Sequence, residues 1–206
     1  MSFISAQAGR DHAEHFYRLA QMAADELYTQ LFGSRARAVL HVMFLREQNE
    51  FSHRHTRFLL VEGEIVGMLH GFRAEEAQTN SGKTLWLMLR YAGLQVFRFL
   101  FIVIVLRDIL GFTGERDSGD FYILFVAIYP RFRGRGYSKR LLGEAERMSF
   151  EQNCARLSLD VDERNAVARA AYRRAGFEQI SESKKVTIDN ERWGVLRLAK
   201  SVTPSA

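Results

Sequence analysis

The run Tyr129-Pro130-Arg131-Phe132-Arg133-Gly134-Arg135-Gly136-Tyr137-Ser138 joins two segments of different character. Before it, Phe121 to Ile128 is continuously apolar and aromatic, which predicts a strand buried on both faces and ended by Pro130. After it, Leu141, Leu142, Ala145 and Met148 recur at helical spacing, which predicts a helix over Tyr137 to Asn153. Between them, Gly134 and Gly136 carry no side chain, so backbone amides can approach an anion closely there. The first turn of the following helix adds unpaired N–H groups and the positive end of its dipole. Arg131, Arg133 and Arg135 supply counter-charge. A strand, this turn and a helix together describe a site for a pyrophosphate. It is neither a dinucleotide fingerprint nor a P-loop, since G-x-G-x-x-G and G-K-[ST] are both absent.

Downstream, Leu157 to Val161 reads as a strand and Ala166 to Ala175 as a helix stopped by Gly176. Two further strands are expected, Phe177 to Ile188 with an irregularity and Trp193 to Leu198, turning at Asp189-Asn190, with Ser201 to Ala206 loose. Upstream, Arg57 to Val61 and Ile65 to Phe72 form a hairpin across Glu62-Gly63-Glu64. Phe3 to Gln7 suits a short edge strand. Asp11 with Glu14 three residues on looks like a capping box, opening a helix whose face is Phe16, Leu19, Ala20, Ala23 and Leu27 and which breaks at Gly33 and Ser34. A second helix is expected over Arg35 to Glu47, with Val39, Leu40, Met43 and Phe44 on one side. Residues 74–118 depart from alternation and read as a helical insertion.

With 206 residues, 47% hydrophobic and 26% charged, the chain fits one domain over residues 1–206 and excludes a disordered or fibrous protein. The net charge of +5 favours an anionic partner, and Arg131, Arg133, Arg135, Lys139 and Arg140 concentrate much of it within ten residues. That concentration points to a phosphate site rather than to nucleic acid, for which no recognition motif is present. Cys154 is the only cysteine, so no intramolecular disulfide forms. Met1 to Arg10 lacks a basic start and an apolar core, and a cytoplasmic protein is expected. Leu85 to Leu110 is broken by Arg90, Gln95, Arg98, Arg107 and Asp108, so no transmembrane segment is expected. His53 and His55 lack a third ligand at sensible spacing and read as loop residues, with no metal.

Arg131, Gly134 and Gly136 match, in order, the coenzyme A signature of the GNAT acetyltransferase superfamily: Arg or Gln, two residues, Gly, one residue, Gly or Ala. Asn165, Ala168, Tyr172 and Gly176-Phe177 resemble its second block. The resemblance covers nearly the whole chain except residues 74–118. It implies an α/β (α+β) GNAT fold, a mixed twisted sheet of about six to seven strands flanked by helices, with the insertion between the third and fourth strands. It implies acetyl-CoA as cosubstrate, its pantetheine pairing with the backbone near Phe125, Val126 and Ile128. Amides from Arg133 through Gly134, Arg135, Gly136 and Tyr137 to Ser138 would hold the pyrophosphate, Asn165 would touch the pantetheine, and Tyr172 would protonate the departing thiolate.

The expected reaction is attack of a primary amine, on a small molecule or a peptide, upon the thioester carbonyl. The same alignment puts Tyr122 where several family members carry a basic glutamate. Asp120, Asp160 and Asp162 are the substitutes, and the base stays unassigned. A non-catalytic coenzyme-binding scaffold is the alternative. Phe97, Leu100, Phe101, Ile104 and Val105 follow helical spacing, so the insertion is expected to line the acceptor site or to make a homodimer contact.

Overall fold

A computed structural model describes residues 1–25, 27–188 and 191–202. Seven strands form one sheet in the order β1-β2-β3-β4-β5-β9-β6: β1 Ser2–Ser5, β2 Thr56–Val61, β3 Glu64–Arg73, β4 Asp120–Ile128, β5 Arg156–Asp162, β6 Glu178–Glu182 and β9 Val195–Ser201. A separate ribbon pairs β7 Val186–Ile188 with β8 Glu191–Trp193. Adjacent strands run antiparallel except β4 and β5, which are parallel. A parallel pair requires a crossover. Helix α7, Tyr137–Glu151, provides it.

Strand alternation sends one set of side chains to each face. Phe58, Met68, Phe125 and Ala127 face α1 Arg10–Ala23, α2 Leu27–Phe32 and α3 Ala36–Leu45, where Phe16, Leu19, Leu40, Met43 and Phe44 complete a first core. Leu59, Leu69, Phe121 and Ile123 face α7 and make a second core with Leu141, Leu142, Ala145 and Met148. The chain between β3 and β4 forms α4 Ala74–Ala92, α5 Val96–Val105 and α6 Arg107–Gly114.

Several local expectations need correction. Gly9, not Asp11, occupies the N-cap of α1, and no side chain caps it. Asp11 sits in the first turn, where its charge meets the positive end of the helix. Glu14 instead accepts from Arg18 and Arg37, each at 2.8 Å. The first helix stops at Ala23, which is exposed, and Asp25 takes φ +45°. Leu27 therefore opens the separate helix α2, whose Phe32 stacks on Phe99 of α5 with ring centroids 5.2 Å apart. Phe177 to Ile188 divides into β6 and β7, and Trp193 belongs to β8 rather than to the last strand. Asp189-Asn190 lies outside the described residues, as do 203–206, while Ser201 ends β9.

Asp160 and Arg197 are direct cross-strand partners on β5 and β9. Both are buried. Asp160 accepts two hydrogen bonds of 2.9 Å from the guanidinium, which also reaches the carbonyls of Phe112 within α6 and of Glu115 just after it. This ties the insertion to the sheet. Removing one member of a buried pair leaves its partner uncompensated. Asp160→Ala is expected to lower unfolding free energy in urea by about 3 kcal/mol. A loss below about 1 kcal/mol, the range of solvated pairs, would show that water already screens this one.

Candidate functional site

Strands β4 and β5 pair only from Asp120 to Ile123 against Arg156 to Leu159. Beyond that point β4 continues to Ile128 along β3, while β5 continues to Asp162 along β9, so a wedge opens between them. A bulge marks the divergence: His70 pairs with Phe125 and Gly71 with Ile123, leaving Leu124 as the extra residue. Bulges bend a strand and re-aim its groups. Gly71 is needed opposite it, since a Cβ there would lie 2.6 Å from the Phe121 ring and 2.9 Å from the Tyr122 carbonyl. The alternation of β4 changes here too. Phe121 to Ile123 are buried on both faces as expected, but Leu124, Val126 and Ile128 are half-buried, because β5 no longer covers them. Phe125, Val126 and Ile128 thus lie on the unpaired stretch. The Phe125 ring is locked in the first core against Tyr28, Phe51 and His70, so only its backbone is available to a ligand.

At the mouth of the wedge, Pro130–Phe132 makes a short 3-10 turn and the chain enters α7 through Gly134 (φ +77°) and Gly136 (φ +76°). Other residues pay for such a backbone with about 1–3 kcal/mol of strain. A Cβ at either glycine would meet nothing within 4 Å. The glycines are therefore not required by packing inside the chain; their bare face opens outward. Gly136 is the N-cap of α7 and offers no capping side chain, so among the described residues no N-cap side chain takes up the first-turn amides. Arg131, Arg133, Arg135, Lys139 and Arg140 are all exposed around this turn. Arg131 pairs with Glu64 and lies over the Phe132 ring at 4.8 Å. Arg133 Nε donates to the Ile128 carbonyl at 3.2 Å.

On the other side of the wedge, Asn165 follows β5 and caps α8, Ala166–Arg174, accepting from the Ala168 amide at 3.0 Å. Tyr172 lies on α8 and packs edge-on against Phe177 at 5.8 Å. Its hydroxyl has no hydrogen-bond partner among the described residues. Desolvation pushes this phenol up to about 12, so it stays protonated through neutral pH.

The carboxylates considered as bases are engaged. Asp120 is held by Arg156 at 2.7 Å, Asp162 by Arg164 and the Trp193 indole, and Asp160 by Arg197 and by the Tyr122 hydroxyl at 2.9 Å. Tyr122 is buried, and desolvation with the nearby Asp160 charge raises its pKa well above that of an ordinary phenol. Sequence reasoning missed a further group. Glu50 and Arg116 form a 3.0 Å ion pair, largely buried, in a cleft of about 360 Å³ walled by Ala77, Gln78 and Ser81 of α4 and Thr113 and Gly114 of α6. The Arg116 guanidinium lies 4.3 Å from the Tyr122 ring centroid and 5.4 Å from that of Phe72. The cleft thus adjoins the point where β4 leaves β5. Arg116 could be seen in the sequence only as one arginine within residues 74–118.

A mixed sheet split between its parallel strands, with a glycine turn feeding a helix at the split, is the arrangement that the resemblance to coenzyme A dependent acetyltransferases implies. The chain belongs to the acetyltransferase (GNAT) family, whose profile matches residues 17–177. Its acyl donor is accordingly acetyl-CoA. Among solved structures, an N-acetyltransferase from Staphylococcus aureus Mu50 is similar with TM-score 0.70 at 16% identity, covering 97% of this chain and 100% of that one. Ard1 from Thermoplasma volcanium is similar with TM-score 0.56 at 16% identity, covering 98% and 97%. An acetyltransferase from Bacillus subtilis in complex with CoA gives TM-score 0.56 at 8% identity, covering 98% of each. At these identities the likeness is one of fold.

Proposed function

We propose that this acetyltransferase moves the acetyl group directly to a primary amine, of a small molecule or a peptide, within a ternary complex. The observation that carries this is the wedge between β4 and β5, with the Gly134–Gly136 turn at its mouth and the Tyr172 hydroxyl free beside it. The pyrophosphate rests on amides from Arg133 to Ser138, and the pantetheine adds to the unpaired edge of β4 near Phe125, Val126 and Ile128. Asn165 closes the opposite side. The amine nitrogen attacks the thioester carbonyl, the C–N bond forms, and charge builds on the carbonyl oxygen, where backbone donors can offset it. Collapse breaks the C–S bond, and the proton that the nitrogen sheds passes to solvent water.

The departing thiolate receives a hydrogen bond from Tyr172. A phenol near 12 is a weaker acid than a thiol of about 8.5, so the hydrogen bond forms early and full proton transfer is uphill. The acceptor approaches from the cleft, where Glu50 is the only carboxylate among the lining residues. Glu50 is paired with Arg116 there, so hydrogen bonding to this pair and to Gln78 and Ser81, rather than net charge, would orient the amine. Residues of the insertion also wall this cleft, which supports its expected part in acceptor binding.

The reading is tested by incubating the protein with acetyl-CoA and a panel of small amines and peptide amines, measuring thiol release and acetylated product. At least one primary amine is expected to show saturable acetylation. Coenzyme binding with no acetyl transfer to any member would instead favour a non-catalytic scaffold.

A further inference from the structure

Helices α4 and α5 leave an apolar face uncovered. Leu94 is 88% exposed, Phe97 75%, Phe101 67%, Ile104 67% and Trp86 55%. Soluble folds seldom show so many large apolar side chains together without a partner. By length and composition, Ala74–Val105 could cross a membrane. Its placement argues against crossing. The helix breaks at Gly93 (φ +60°), Leu87 and Ala92 are buried against the body, and Phe99 stacks on Phe32 of α2. One side of the stretch is seated on the domain while the other faces outward.

The charge pattern selects the occupant. From residue 77 to 107 the chain carries Lys83, Arg90, Arg98 and Arg107 and no carboxylate. A second copy meeting the same face across a two-fold axis would set Lys83, Arg90 and Arg98 against their own copies, the nearest acid on that side, Asp108, being already paired with Arg107 at 3.7 Å. A protruding apolar helix with aromatic side chains, rimmed by cations, is the pattern of an interfacial element on anionic lipid. We propose that this face docks on a bilayer surface carrying anionic headgroups. Phe97, Phe101 and Ile104 enter the acyl boundary. Trp86 lies at headgroup level, and Arg90 and Arg98 meet lipid phosphates.

The test is sedimentation of the full chain with vesicles of phosphatidylcholine alone and of equal parts phosphatidylcholine and phosphatidylglycerol. Binding to the anionic vesicles is expected to exceed that to the neutral ones, to fall with added salt, and to be weakened by about tenfold or more in Phe97→Glu/Phe101→Glu. Both positions are outside the donor and acceptor sites, so the double variant should keep its circular dichroism and its coenzyme affinity. Independently of any variant, tryptophan emission of the wild-type chain should shift to the blue on adding anionic vesicles. No partition and no spectral shift would overturn the proposal. So would a wild-type dimer in size-exclusion chromatography that the double variant dissociates, because the face would then belong to a second copy.

Discussion

Tyr172→Phe is expected to lower turnover by about 100-fold while coenzyme affinity stays within about twofold of wild type. The hydroxyl has no hydrogen-bond partner among the described residues, so its loss is expected to orphan no group there and to change the fold little. The ring keeps its edge-on contact with Phe177, which preserves packing on α8. What disappears is a donor that acts once charge builds on sulfur. Removal of a single preorganised donor of that kind typically costs about 10²- to 10³-fold. The raised phenol pKa places the expectation at the lower end, since a group near 12 contributes a hydrogen bond more readily than a proton. The measurement is single-turnover acetyl transfer alongside calorimetric coenzyme binding. Equal rates in an assay limited by chemistry would return Tyr172 to a packing role.

Much of the turn and helix proposed for the donor was legible as local structure because its signals are local. Gly134 and Gly136 owe their place to backbone conformation, and the helix after them to the spacing of Leu141, Leu142, Ala145 and Met148; both can be read along the chain. The hairpin at Glu62-Gly63 is similar, with both residues at positive φ. What escaped depends on partners far apart in sequence. Asp160 could be seen as a carboxylate near the site, but Arg197, the residue that neutralises it, lies opposite only once β9 returns beside β5. Glu50 and Arg116 meet only because the insertion folds back. The bulge at Leu124 is a register event between β3 and β4, invisible in a continuous apolar run. The first helix was drawn too long because its apolar spacing persists to Leu27, although α1 ends at Ala23, Asp25 takes φ +45° and Leu27 opens a new helix. The insertion was rightly expected to be helical. That its apolar face would remain uncovered was not legible, because exposure is decided by neighbours and not by pattern.

The second large effect concerns the glycine turn. In Gly134→Leu/Gly136→Leu each new side chain would occupy the open space in front of the turn, because no atom of the chain stands within 4 Å of either added Cβ. Each would also hold a φ near +77° that a branched residue adopts only under strain. The space lost is the space proposed for the pyrophosphate, and the amides it would screen are those at the start of α7. Loss of these contacts is expected to weaken coenzyme A binding by about 100-fold or more, roughly 2.7 kcal/mol. The body of the fold should be kept, since both glycines are exposed.

Titration calorimetry of coenzyme A against wild type and this double variant, with circular dichroism confirming equal folding, puts the assignment of the turn to direct measurement. Saturable binding by wild type and its near-complete loss in the folded variant is the predicted result; unchanged affinity in the variant would place the coenzyme elsewhere and contradict the account.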